Sequence, residues 1–320
     1  MIAARVGRRS FLGIAVGAAA SGLPKRGRAE RNVPAPSASQ AIRLGGPIFA
    51  NSDDPEVLAR AHRAKGYRAA YCPKLAVTDT DKIKDTERAF ARSDVAIAEV
   101  GRWVNLLDSD PDKRRQNLAT VTDGLALADA IGARCCVDIA GSFSTTSWFG
   151  PHPDNLTEHF FDAAVENARK IIDAVKPTRT VFSYEMMAWS LPDSPDACLR
   201  MIEAVDRKAF AVHLDPCNLI NSPERHYRSS EIIRECYAKL GPRIASVHAK
   251  DLAWDVEYAV HFREVRIGLG TIDYGVFLAE HAKRAPDVPL MLEHLKDEAE
   301  YDAARAQVMA SGARVGLRFE

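Results

Sequence analysis

Short runs of apolar and β-branched residues alternate along this chain with longer segments whose apolar positions recur every three to four residues. The short runs fall at 43–50, 67–73, 95–107, 133–141, 179–189, 210–218, 244–252 and 289–295. Between them, stretches such as 54–65, 113–131, 155–175 and 230–240 carry the helical period. Two helix starts look capped: Asp54, followed by Pro55 and Glu56, and the pair Asp154-Asn155. Strands that alternate with helices imply a parallel sheet, and eight such units close into a barrel. The competitor is an open doubly wound sheet, which normally begins with a glycine-rich dinucleotide turn that Gly45-Gly46 does not supply. The expected fold is therefore α/β, a single (β/α)8 TIM barrel over residues 42–320.

The first thirty residues break this pattern. Arg8-Arg9-Ser10-Phe11-Leu12 precedes a mildly apolar stretch from Ile14 to Leu23, and Lys25, Arg26 and Arg28 follow it. A twin arginine, a weakly hydrophobic core and a polar, basic end in that order read as a Tat signal peptide over 1–30. Residues 31–41 then read as a linker. The expected location is the periplasm, with a cytoplasmic enzyme bearing a basic tail as the alternative. No apolar run approaches the roughly 18 residues that span a bilayer, so no stable membrane insertion is expected once the signal is cleaved.

Composition narrows the partners. The 320 residues are 47% hydrophobic and 27% charged, an ordinary globular balance. Residues 1–30 hold six of the 43 basic and one of the 43 acidic side chains, so the remainder carries a net charge of −5. That argues against a nucleic-acid partner, which needs a basic face. None of the six cysteines forms a C-x-x-C pair, which argues against a zinc ribbon. Cys135, Cys136 and Cys217 sit in apolar runs and read as core. A homo-oligomer is compatible with all of this and is not specified by it.

In such a barrel, alternate strand residues face the lumen and chemistry gathers where the strands end. Period two puts Val181, Ser183 and Glu185 on one face of the fifth strand. It groups Ala211, His213 and Asp215 on the sixth, Ser246, His248 and Lys250 on the seventh, and Met291 and Glu293 on the eighth. Four consecutive strands thus end in a carboxylate or an imidazole at matching height. Three carboxylates cannot crowd together unpaired, because burying like charges is costly. A divalent cation held by Glu185, Asp215, His248 and Glu293 resolves the conflict, and an O3N donor set suits Mn²⁺ first, then Mg²⁺, Co²⁺ or Zn²⁺. His213, one pleat below Asp215, is placed to orient a ligand from behind. His294 is expected to point to the opposite face and to be structural. Weaker candidates lie upstream: Glu99, Arg102, Trp103 and Asn105 along the third strand and its exit, Asp138 on the fourth, and Trp148 and His152 in the loop after it. An aromatic beside polar groups, such as Trp103 near Asn105, suits a sugar.

The segments Tyr184-Glu185, His213-Leu214-Asp215-Pro216-Cys217-Asn218, Val247-His248-Ala249-Lys250-Asp251, Gly268-Leu269-Gly270-Thr271-Ile272-Asp273 and Leu292-Glu293-His294 resemble the xylose isomerase-like barrels. Within them, the likeness is to the sugar phosphate isomerase/epimerase group that includes D-tagatose 3-epimerase. The resemblance implies one divalent ion on Glu185, Asp215, His248 and Glu293. It also implies that Glu185 and Glu293 act as acid and base on opposite faces of a carbohydrate substrate, through an enediolate. Arg266 resembles a substrate-contacting arginine of that group, and Lys250 is placed to bind an oxyanion or to pair with a carboxylate. Members often carry His where this chain has Asn218, which can bond a hydroxyl but cannot carry a proton. The expected function is a metal-dependent isomerase or epimerase of a ketose. The alternatives are a lyase or dehydratase on a keto-sugar or inositol, and a non-catalytic sugar-binding barrel. An endonuclease IV-like activity would need extra metal ligands and a basic cleft, and neither is apparent.

Overall fold

The computed structural model describes residues 41–319. The expected signal peptide, and all but the last residue of the expected linker, lie outside the described residues.

Eight strands close a parallel barrel: β1 (Leu44–Gly45), β2 (Ala69–Tyr71), β3 (Ala96–Gly101), β4 (Cys135–Asp138), β5 (Val181–Glu185), β6 (Phe210–Leu214), β7 (Ile244–Ala249) and β10 (Leu290–Leu292). β1 pairs with both β2 and β10, so the sheet has no free edge. Each apolar run of the sequence supplies one of these strands, in a shorter form. Two further strands, β8 (Asp251–Asp255) and β9 (His261–Val265), form an antiparallel hairpin after β7. The reading that carried the seventh strand to 252 did not separate them.

Helices α1 (Pro55–Ala64), α2 (Thr80–Arg92), α3 (Pro111–Ile131), α4 (Glu158–Val175), α5 (Pro195–Val205), α6 (Pro223–Tyr227), α7 (Ser229–Leu240), α8 (Tyr274–Arg284) and α9 (Glu298–Arg314) fill the connections. α4 shows the cause. Phe160, Phe161, Ala164, Val165, Ala168, Ile171 and Ile172 recur at helical spacing and are buried, each large side chain contributing roughly 1.5–3 kcal/mol. Asp54 caps α1 as expected, accepting from the Glu56 and Val57 N–H groups, with Pro55 in the first turn. The second expected cap is displaced. Pro153–Leu156 is a tight 3-10 turn, and α4 starts at Glu158 under Thr157, whose hydroxyl accepts from the Phe160 N–H. All six cysteines are free thiols, five of them buried. Among the described residues, no helix is long and apolar enough to cross a membrane.

Inside the barrel the packing is small: Cys135, Val137, Ala211 and Ala245 in one group, Ala69, Ala98 and Met291 in another. Small residues leave room for polar side chains. Two irregularities decide which ones enter. Between β2 and β3 the register skips Ala98, since Ala70 faces Ile97 while Tyr71 faces Glu99. Ile97 and Val100 both pack outward among helical residues, so Ala98 and Glu99 both face the lumen, against strict alternation. A similar skip at Ala245, between β6 and β7, lets Ser246 face inward with His213.

The turn after β9 is anchored by Asp251. Its buried carboxylate accepts from the N–H groups of Leu252, Gly268, Gly270 and Ile272 at 2.9–3.1 Å. A Cβ on Gly270 would collide with that carboxylate and with the Leu252 carbonyl. Asp251→Ala strands several inward N–H groups, each costing about 1–3 kcal/mol. It is expected to lower unfolding free energy in urea by at least about 2 kcal/mol; an unchanged midpoint would contradict this anchoring role.

Candidate metal centre and the cleft above it

The four expected ligands meet at the C-terminal mouth of the barrel. Glu185 ends β5, Asp215 follows β6, His248 lies in β7 and Glu293 follows β10. One ligand atom from each can be chosen so that all four lie within 4.8 Å of one another. His248 Nδ1 is 2.9 Å from Glu293 Oε2, 3.2 Å from Glu185 Oε1 and 4.0 Å from Asp215 Oδ2. Asp215 is oriented by the Cys217 N–H, which donates to its Oδ1 at 2.9 Å and leaves Oδ2 turned into the cluster. Asp215 Oδ2 and Glu293 Oε2 are buried and accept no well-directed hydrogen bond. Convergent, under-satisfied carboxylate oxygens beside an imidazole nitrogen fit a divalent cation with oxygen and nitrogen ligands.

Glu99 stands behind the cluster. It is 1% exposed. Its Oε1 lies 3.1 Å from His248 Nε2, and its Oε2 lies 2.9 Å from both His213 Nε2 and Ser246 Oγ. The carboxylate thus fixes the His248 ring with Nδ1 toward the cluster, as supporting carboxylates do for metal-bound histidines. Glu99, His213 and His248 could themselves hold an ion by distance, but Glu99 is bonded to both rings. Burial opposes charge on Glu99, yet the attraction of His248 and His213 outweighs it and holds the carboxyl well below the usual range. His213 is where the sequence placed it, and it supports His248 through this shared carboxylate. Glu99, ranked only as a weak upstream candidate, is the partner the alternation pattern undervalued.

The remaining charge comes from Lys250. Its Nζ is 2.8 Å from Asp215 Oδ2, 2.7 Å from Glu293 Oε2, 3.8 Å from Glu185 Oε1 and 3.7 Å from Glu264 Oε1. Burial opposes its charge, but Asp215, Glu185, Glu293 and Glu264 together keep it protonated far above its ordinary range. Burial likewise opposes charge on Glu293, and His248 and Lys250 hold its carboxyl well below the ordinary value. His294 does not turn away. With φ of 57° it breaks the strand's alternation and lines the cleft, its Nδ1 2.8 Å from Glu264 Oε2 and its Nε2 3.5 Å from Glu293 Oε1. Donating that hydrogen bond to the Glu264 carboxylate raises the imidazole pKa. Glu264 comes from the β8–β9 hairpin and was not singled out in the sequence.

A cleft of about 560 Å³ opens over the cluster, lined by Glu185, Lys250, Glu293 and Asn218 together with the rings of Trp103, Trp148, Phe149 and Trp189. Trp103 lines it and lies 6.1 Å, centroid to centroid, from the His248 ring. Asn218 donates to Glu185 Oε1 at 3.2 Å and to the Met186 carbonyl at 2.9 Å, so it steadies the Glu185 carboxylate at the cleft wall. Two expected substrate contacts fall elsewhere. Asn105 is buried and spends its amide on the Ser142 carbonyl and on the Leu107 and Ser142 N–H groups. Arg266 is not in the cleft lining, and its Nε sits 3.1 Å from Glu300 on α9.

A closed parallel barrel with an acidic and imidazole cluster at the ends of its last four strands defines the class of the protein. The chain belongs to the xylose isomerase-like TIM barrel family, whose model matches residues 58–314. No curated protein matches the sequence. Solved structures share the fold. A xylose isomerase-like TIM barrel protein from Mycobacterium smegmatis, in complex with magnesium, is 19% identical with a TM-score of 0.60, over 81% of this chain and 88% of that one. A 3-keto-D-glucoside 4-epimerase from E. coli is 13% identical with a TM-score of 0.61, over 84% and 98%. Endonuclease IV from Thermus thermophilus is 15% identical with a TM-score of 0.62, over 84% and 97%. The fold alone therefore does not choose the reaction.

Two predictions follow from the geometry. Glu99→Gln keeps the shape but weakens the hold on His248, so Mn²⁺ affinity measured by calorimetry should fall about 10–100-fold with the circular dichroism spectrum unchanged; wild-type affinity would contradict the supporting role. Asp138 concerns stability. It is fully buried, its Oδ1 accepts from Val104 and Ile139, and its Oδ2 has no partner. Burial pushes its carboxyl well above the usual range. The folded protein thus keeps a proton that the unfolded chain releases above about pH 4, so stability is lost as pH rises from there. Asp138→Asn should melt higher than wild type at pH 7, and the gap should close near pH 3. An equal gap at both values would contradict a buried neutral acid.

Proposed function

We propose that this protein is a divalent-metal-dependent isomerase or epimerase of a keto-sugar, working through an enediolate. The observation that carries the reading is the pair Glu185 and Glu293. They come from the outer two of four adjacent barrel strands and flank Asp215 and His248, so two carboxylates approach one point from either side. A divalent ion bound there would polarise a carbonyl and acidify the neighbouring C–H. Glu293, 16% exposed at its side chain and held anionic beside Lys250, is placed to take that proton. Glu185, across the cluster, is placed to return one to the other face of the same carbon or to its neighbour. The Lys250 ammonium offers an oxyanion a fixed positive partner. Trp103 packs beside the His213 and His248 rings and offers the substrate an apolar face.

A free sugar suits the site better than a phosphorylated one. The N–H groups of Gly268 and Gly270, the nearest approach to a phosphate cradle in the sequence, are both spent on Asp251 Oδ2. Periplasmic export, if the twin-arginine segment directs it, would favour the same choice. The second reading is a lyase: the same proton removal would expel a leaving group next to the enediolate. Asn218, which cannot act as an acid or base at a position where the resembled epimerases often have His, favours it.

Incubating the Mn²⁺-loaded protein with keto-sugars in D₂O separates these outcomes by NMR. The proposal expects deuterium at the carbon beside the carbonyl and a new stereoisomer or aldose, with Glu293→Gln and Glu185→Gln each slower by about 10²–10⁴-fold. A dehydrated product marks the lyase. Sugar binding without exchange, unchanged in Glu293→Gln, would leave a binding barrel instead.

A further inference from the structure

The cleft extends past the charged cluster onto a wall that the proposed chemistry does not use. Trp148, Phe149 and Trp189 line it, and they are 41%, 42% and 53% exposed. Trp148 and Phe149 stand edge to face, 5.1 Å between centroids. They belong to two loops, 142–153 after β4 and 186–194 after β5. Large rings grouped on one wall of a cleft, beside a polar cluster, mark a ligand surface rather than scattered exposure.

The wall is built, not incidental. Asn155, fully buried, ties the two loops together. Its Nδ2 lies 3.1 Å from the Gly150 carbonyl, 3.2 Å from the Trp189 carbonyl and 3.0 Å from Ser142 Oγ, while its Oδ1 accepts from the Phe143 N–H at 2.9 Å. The backbone of each aromatic-bearing loop is therefore held by one side chain. Its place at the displaced start of α4 explains why a polar residue there is buried rather than capping.

We infer that this wall is a subsite for a second sugar ring, so that the substrate is a keto-sugar joined by a glycosidic bond to another pyranose. The inference rests on the sugar reading above. A cleft of about 560 Å³ falls in the range of roughly 300–1,000 Å³ that drug-sized ligands fill, more than a single ring requires. Its lining offers carboxylates, an imidazole and an ammonium for keto and hydroxyl oxygens. The exposed Trp148, Phe149 and Trp189 offer flat aromatic faces on which the C–H face of a pyranose can lie, with its hydroxyls directed to the edges and to water. A wholly apolar ligand would leave the charged end unmatched, and a lone ketose would leave the aromatic wall bare.

Calorimetric titration of the Mn²⁺-loaded protein with lactulose, a ketose bearing a β-linked pyranose, and with D-fructose, the ketose alone, tests this. Lactulose should bind at least about tenfold more tightly, and Trp189→Ala should erase that advantage while keeping wild-type Mn²⁺ affinity and melting temperature. Equal affinity for the two sugars, or an advantage that survives in both Trp189→Ala and Trp148→Ala, would overturn the subsite. Indole binding as tightly as lactulose would overturn the sugar-ring assignment in favour of an apolar group. Failure of the catalytic proposal reads out separately, as absence of deuterium exchange in every sugar while the lactulose preference stands.

Discussion

The Glu99–His248 contact is the constraint on which the mouth of this barrel depends. A carboxylate with 1% exposure survives only when its oxygens are partnered, and here both are, by two imidazoles and a serine hydroxyl. In satisfying itself, Glu99 occupies the Nε2 side of His248 and directs Nδ1 toward Glu185, Asp215 and Glu293. The small lumen residues, Ala69, Ala98, Ala211 and Ala245, provide the space for that polar layer. The four clustered side chains thus sit in the strands or one residue past their ends, where packing fixes them, and the loops above are free to set what the cleft accepts.

Those loops are held by the same device at two places, a buried polar side chain that gathers backbone groups from separate turns. Asp251 collects N–H groups from the turn after β9 and so fixes the base of the hairpin that carries Glu264. Asn155 collects carbonyls from the loops that carry Trp148, Phe149 and Trp189. Lys250 joins the two levels, since it contacts Asp215 and Glu293 below and Glu264 above. With His248, it is a positive partner for the three carboxylates Glu185, Asp215 and Glu293.

Much of this was legible in the sequence because strand alternation is a simple rule. It placed Glu185, Asp215, His248 and Glu293 on one level, and the four side chains do converge there, Glu185 and His248 from within β5 and β7 and Asp215 and Glu293 from one residue past β6 and β10. It failed where the backbone departs from the rule. A skip at Ala98 turned Glu99 inward, and a positive φ at His294 turned that ring into the cleft. Neither departure has a local signature: Ala98 is an ordinary strand residue, and His294, two residues past β10, follows the apolar run without a glycine or proline to mark the turn. Glu264 was missed for another reason: it reaches the site from a hairpin whose strands look like an extension of β7. Asn105 and Arg266 sat near the right strand ends, but their side chains found nearer partners in Ser142 and Glu300. Sequence distance from a strand end does not say which way a loop residue turns.

The central claim is that Glu185, Asp215, His248 and Glu293 together hold one divalent ion. Elemental mass spectrometry of the protein purified without chelator, then reloaded with Mn²⁺, tests it most directly. The account predicts about one ion per chain, lost in His248→Ala with the barrel still folded by circular dichroism. A wild-type protein that stays metal-free after titration with Mn²⁺, Mg²⁺, Co²⁺ and Zn²⁺, or a His248→Ala variant that retains a full equivalent, would contradict it.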